Sequence, residues 1–99
     1  MPNQFYSKIA GVTFDNRQQY VRRLVAGQEL RLVRDSANPY DHNAIAVYDG
    51  SHQLGFLRKE VAESLAPEMD RGVRVRASVE EVTGQDYGNY GANIKVVVA

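Results

Sequence analysis

The sequence predicts a mainly-β fold, a small six-stranded β-barrel carrying two short α-helices. Three observations lead there. Several short stretches alternate apolar and polar residues with a period of two, the spacing of a strand with one buried face. Two others, near residues 20–25 and 61–69, switch to helical spacing. Glycine and Asx residues punctuate the joins, most plainly at Asp49-Gly50, a strong hairpin signal. The chain has 99 residues and shows no linker, repeat or low-complexity segment, so residues 1–99 are read as one domain.

In chain order, Phe5, Ile9 and Val12 mark a first strand over residues 5–13. Asp15 or Asn16 is placed to cap a short helix in which Tyr20, Val21, Leu24 and Val25 make one apolar stripe, ended by Gly27. Residues 29–35 alternate, with Leu30 and Leu32 opposite Arg31 and Val33. Residues 36–43 are dense in turn-formers and contain an Asn38-Pro39 step, which predicts a loop with its own hydrogen bonds. Residues 44–48 and 53–57 form a hairpin about Asp49-Gly50. Val61, Ala62, Leu65, Ala66 and Met69 then repeat as a second helix, and Pro67 is expected to end or kink it near Ala66. Val73, Val75, Ala77 and Val79 share one face of a long strand, with Arg74, Arg76, Ser78 and Glu80 on the other. A glycine-rich loop over 83–91 carries Tyr87 and Tyr90, and Ile94, Val96 and Val98 finish the chain as a last strand.

Composition narrows the function. Twelve basic and twelve acidic residues cancel, which argues against indiscriminate coating of duplex DNA and for a small local site. Nine of the twelve cations are arginine, the side chain best shaped for bidentate phosphate contact. There are no cysteines, so no disulfide frame or thiolate metal site is available, in keeping with a reducing, cytoplasmic setting. The longest apolar run, Val96-Val97-Val98-Ala99, is far too short for a bilayer, and no signal-peptide core follows Met1, so no membrane role is expected. His42 and His52 lie ten positions apart with no catalytic partner at a telling spacing, so neither an enzyme nor a cofactor is expected.

The stretch from Leu32 to Val47 contains Arg34, Asn38-Pro39, Asp41 and Asn43-Ala44-Ile45, followed by Val47. It resembles the signature of the HIRAN family. The likeness continues through Leu54-Gly55-Phe56-Leu57-Arg58-Lys59-Glu60, Ala62 and Leu65-Ala66-Pro67, and upstream at Ile9-Ala10-Gly11-Val12. The resemblance implies a modified, OB-like oligonucleotide-binding barrel. Eukaryotic members sit at the front of fork-remodelling translocases and capture an unpaired 3′-hydroxyl DNA end, while bacterial members also occur alone. With 99 residues and no Gly-rich phosphate loop, this chain is expected to be of the stand-alone bacterial type. Its expected ligand is the 3′ end of single-stranded DNA at damaged or stalled replication structures. A helicase or nuclease would be the partner protein.

Gripping a strand end needs an aromatic face for the base, an acceptor for the terminal hydroxyl and cations for the phosphates behind it. By resemblance, Tyr40 stacks on the terminal nucleotide and Asp41 accepts from the hydroxyl, repelling a phosphorylated end. Asp41 can equally cap its own turn, the role expected of Asn38, Pro39 and Asn43. Arg58 and Lys59 fall where a strand becomes a helix, a poor place for a cation beside the helix dipole but a good one for phosphate. Arg34, Phe56, Tyr87 and Tyr90 complete the candidate nucleic-acid-binding set. Where strand-end-binding relatives carry an Arg-Tyr pair before the first glycine, this chain has Ser7 and Lys8. Tyr6, Phe14, Tyr87 and Tyr90 are the aromatics available to replace it.

Two other functions compete. One is a protein-interaction or adaptor domain on the same fold without strong DNA affinity. A cluster of Arg31, Arg34, Arg58 and Lys59 beside Tyr40 would favour DNA, and an apolar patch elsewhere a protein partner. The other is a metal-dependent nuclease or phosphatase, which requires Asp35, Asp41 and Asp49 to converge.

Overall fold

In a computed structural model, described for residues 3–85 and 88–99, six antiparallel strands close into a barrel in the order β1-β4-β3-β2-β5-β6. The elements are β1 (Gln4–Ala10), α1 (Gln18–Val21), β2 (Glu29–Arg34), β3 (Ile45–Asp49), β4 (His52–Leu57), α2 (Lys59–Asp70), β5 (Val75–Thr83) and β6 (Gly91–Val98). Alternation sorts the faces as expected. Ile9, Leu30, Ala77, Val79, Ile94 and Val96 are buried, while Tyr6, Lys8, Arg31 and Arg76 are exposed. The helices contribute Val21, Ala62, Leu65 and Ala66 to the same core. Leu65 is fully buried, and losing a side chain of this kind costs about 2–5 kcal/mol. None of the described helices is long and apolar enough to cross a membrane.

Four local expectations are corrected. The first strand stops at Ala10, because Gly11 turns the chain at φ 72°. Asp15 and Asn16 adopt left-handed φ values of 54° and 61° and cap nothing, and Arg17 holds the N-cap of α1. That helix is a single α-turn. The N–H groups of Arg23 and Leu24 reach back only three residues, to Tyr20 and Val21, so the stripe continues as tighter turns and leaves Val25 exposed.

Nor does Pro67 end α2, which runs to Asp70. Pro67 and Glu63, whose carbonyl loses its helical donor, both lie on the exposed face, so water can satisfy that oxygen. In β5 the pairing slips between Val79 and Glu81, so Glu80 is an extra residue. The slip returns Val82 to the inner side opposite buried Ala92, which simple alternation cannot anticipate.

One glycine fixes how the barrel closes near the site. A Cβ on Gly55 would lie 2.1 Å from the Ala10 carbonyl oxygen and 2.8 Å from Ile9 Cγ2. Only a residue without a side chain lets β4 approach β1 this closely, and that approach sets the pairing of Phe56 with Ala10.

Candidate nucleic-acid interface

The loop between β2 and β3 is built by its own polar side chains. Asn38 Oδ1 accepts the N–H groups of Tyr40 at 2.9 Å and Asp41 at 3.2 Å, while its Nδ2 donates to Asp35 Oδ2 at 3.1 Å. Asp41 Oδ1 accepts the Asn43 N–H at 2.9 Å, so this carboxylate does cap its turn. Its Oδ2 has no hydrogen-bond partner among the described residues.

Arg34 holds the loop from beneath. Its guanidinium makes a bidentate pair with Asp70 of α2, at 2.9 and 3.2 Å, and donates to the carbonyls of Ala44 at 2.8 Å and His42 at 3.1 Å. The Arg34 hydrogen bond, opposed in part by desolvation and aided by the Arg34 charge, lowers the Asp70 pKa from the ordinary carboxylate value. The Arg34 side chain, singled out in the sequence as a nucleic-acid-binding candidate, is mostly buried and braces the loop against α2.

Loop rigidity leaves Tyr40 standing in solvent. It is 93% exposed, an arrangement with no packing return for so large a ring. Beside it lies a pocket of about 220 Å³ lined by Asn38, Tyr40, Asp41, Ala44, Phe56, Leu57 and Lys59. A second, open groove of about 650 Å³ is lined by Ala10, Gly11, Phe14, Asp15, Arg17, Tyr40 and Phe56. Tyr40 and Phe56 belong to both, so the two depressions adjoin. Four of the residues singled out in the sequence thus meet: Tyr40, Asp41, Phe56 and Lys59.

The β1–α1 loop adds two more residues. Phe14, 66% exposed, lines the larger groove, and Arg17 lies under it. The Arg17 guanidinium donates to the Gly11 carbonyl at 2.9 Å, pairs with Asp15 at 3.2 Å and sits 5.4 Å from the Phe56 ring centre. Phe14 appeared in the sequence only as one of several spare aromatics. Arg17 gave no signal, because its role depends on the left-handed Asp15-Asn16 step that folds it back over Phe56.

The other described candidates lie elsewhere. Arg58, the N-cap of α2, forms an exposed pair with Glu60 at 2.7 Å and lines neither depression. Tyr90 packs partly against the core, its backbone clasped by Gln18 through bonds of 2.6 and 2.8 Å. Tyr87 lies outside the described residues. Arg31 turns to the Gly50 carbonyl and the Tyr48 ring, so the expected cluster of Arg31, Arg34, Arg58 and Lys59 beside Tyr40 reduces to Lys59 alone. Among the described residues no three His, Asp or Glu side chains gather to hold a metal, so Asp35, Asp41 and Asp49 do not converge.

The family model described as the HIRAN domain matches residues 2–99. The chain is similar to the crystal structure of the HIRAN domain of human HLTF, with 25% identity and a TM-score of 0.75, over 97% of this chain and 74% of that one. It is also similar to a Lactobacillus plantarum protein, with 26% identity and a TM-score of 0.74, over 93% of this chain and 91% of that one. The NMR structure of the HLTF domain gives a TM-score of 0.61 at 26% identity, over 98% of this chain and 80% of that one. No curated protein matches the sequence.

Proposed function

From the premise that this chain belongs to the HIRAN domain family, we propose that it binds nucleic acid without catalysis, by capturing the 3′-hydroxyl end of a single DNA strand. The observation that carries this reading is a pair of adjoining depressions that share Phe56 and exposed Tyr40, one lined also by Phe14 and the other by Asp41 and Lys59. Aromatic faces accept any base, so Tyr40 and Phe14 supply sequence-tolerant stacking in the place of the Arg-Tyr pair that Ser7 and Lys8 lack.

Each polar group then has a task. Asp41 Oδ2 accepts from the terminal hydroxyl while Oδ1 keeps the loop closed. Lys59, the first residue of α2, meets the phosphate behind that terminal nucleotide. No side chain caps this helix, so its first amides add to the same anion-attracting end. Arg17 stiffens Phe56 as the floor of the groove.

Replacing Tyr40 tests the reading, because the ring is solvent-exposed and its loss leaves the core intact. Tyr40→Ala should weaken binding of a short 3′-hydroxyl oligonucleotide by about 1–3 kcal/mol, measured by fluorescence anisotropy. Unchanged affinity would remove Tyr40 from the interface. If the wild-type protein binds no strand at all, the adaptor function replaces this one.

A further inference from the structure

On the other half of the barrel, β2, β5 and β6 present an outer face that the end-capture groove does not use. Two open depressions cross it, of about 330 and 390 Å³, and neither shares a residue with the groove at Tyr40. Cross-strand register builds them. Ser78 lies between Glu29 and Lys95, while Arg76 is opposite Val97 two pairs further along, the next pair on the same face. Arg31, Arg76 and Lys95 line the depressions against a single carboxylate, Glu29.

These cations are largely uncommitted. Among the described residues, neither Arg76 nor Lys95 forms a salt bridge, and Arg31 is held only by the Gly50 carbonyl and the face of Tyr48. Tyr6, 58% exposed, stands opposite Lys95 on β1. The other acidic residues of β5, Glu80 and Glu81, lie at and beyond the Val79–Glu81 slip and line neither depression, and Glu81 accepts a hydrogen bond from Asn93 at 3.1 Å. Within a neutral chain the lining of these two depressions is therefore locally basic.

We propose that this face is a second binding surface, for the phosphate backbone of a nucleic-acid strand, independent of any strand end. Three cations on neighbouring strands about 4.8 Å apart offer a row of phosphate contacts. Exposed Tyr6 beside Lys95 offers a base a surface to lie on, a pairing that suits a nucleic acid better than an acidic peptide. The inference does not rest on the end-capture reading, and a ligand without ends separates the two.

The probe is a circular oligothymidylate, with a linear 3′-hydroxyl strand of equal length as control, titrated by anisotropy across a salt series. Wild-type protein should bind the ring with marked salt dependence. The double variant Arg76→Ser/Lys95→Ser should bind it at least tenfold more weakly, with a salt slope lower by about 1.4 units. Arg76→Lys/Lys95→Arg should keep the affinity for the ring, because the charges and not the particular side chains meet the phosphates. Thermal melting verifies that the variants are folded. The proposal is overturned if the ring does not bind at low salt, or if the double variant binds it like wild type. Tighter binding of polyglutamate than of the ring would assign the face to an acidic protein.

Discussion

At the scale of single residues, the site depends on side chains that hold the chain in place as well as those that meet a ligand. Asn38 spends all its polar atoms on the loop, and Arg34 binds that loop to α2. Both sit in the most recognisable stretch of the sequence, where a bracing arginine and a phosphate-binding one look the same. Their difference lies in Asp70, 36 positions further on, which no local spacing reveals. Lys59 is the contrasting case: exposed, on the pocket wall, and free of any salt bridge among the described residues. A lone phosphate contact on a single strand is worth a salt slope of about 0.7. Lys59→Ala should therefore weaken binding of all sequences alike and flatten the slope by about that amount. If affinity and slope both stay as in wild type, Lys59 is only a surface charge.

At the scale of elements, most of the fold was readable because it follows from period and turn chemistry. The β3–β4 hairpin about Asp49-Gly50, the loop after β2 and the second helix all formed where the pattern put them. Departures came where three-dimensional context outvoted local preference: Pro67 tolerated on an exposed helix face, Glu80 inserted as a bulge, and α1 giving way after one turn to the tighter bonds of Arg23 and Leu24. Phe14 and Arg17 entered the site through that irregular β1–α1 connection, which is why no motif announced them.

Two element-scale consequences can be measured. Gly55→Ala forces a Cβ into the Ala10 carbonyl, so β1 and β4 must separate. It should cost about 1–3 kcal/mol, read as a lower denaturation midpoint, and an unchanged midpoint would contradict the close approach. The Arg34–Asp70 clamp should respond to acid. Because the folded state lowers the Asp70 pKa, its contribution is fully present above the unfolded value of about 3.9 and is lost as pH falls through the folded one. Amide exchange in residues 38–44, corrected for its intrinsic pH dependence, should therefore lose protection below about pH 4. Asp70→Asn should already lack that protection at neutral pH. Equal protection in both proteins would mean the loop stands without the clamp.

At the scale of the whole molecule, twelve positive and twelve negative charges give a neutral sum over an uneven surface. The acidic residues of α2, the basic face of β2, β5 and β6, and the aromatic groove are separate regions of one small barrel. A global charge count argues only against extensive duplex coating. What it could not convey is that a groove with one free lysine must gain its selectivity from stacking and from Asp41, with little help from a broad positive field. Such a site should read the chemistry of a strand end more than its length.

End chemistry is accordingly the measurement that bears most directly on function: anisotropy titrations of matched oligonucleotides ending in a 3′-hydroxyl or a 3′-phosphate, at one moderate salt concentration. A hydroxyl donates to the Asp41 carboxylate, worth about 1.5–3 kcal/mol, whereas a phosphate brings like charge against it. Wild-type protein should prefer the hydroxyl end by at least about tenfold. Asp41→Asn, which keeps an oxygen for the Asn43 N–H but removes the charge, should erase most of that preference. Equal affinity of the wild-type protein for both ends would contradict capture of the 3′-hydroxyl.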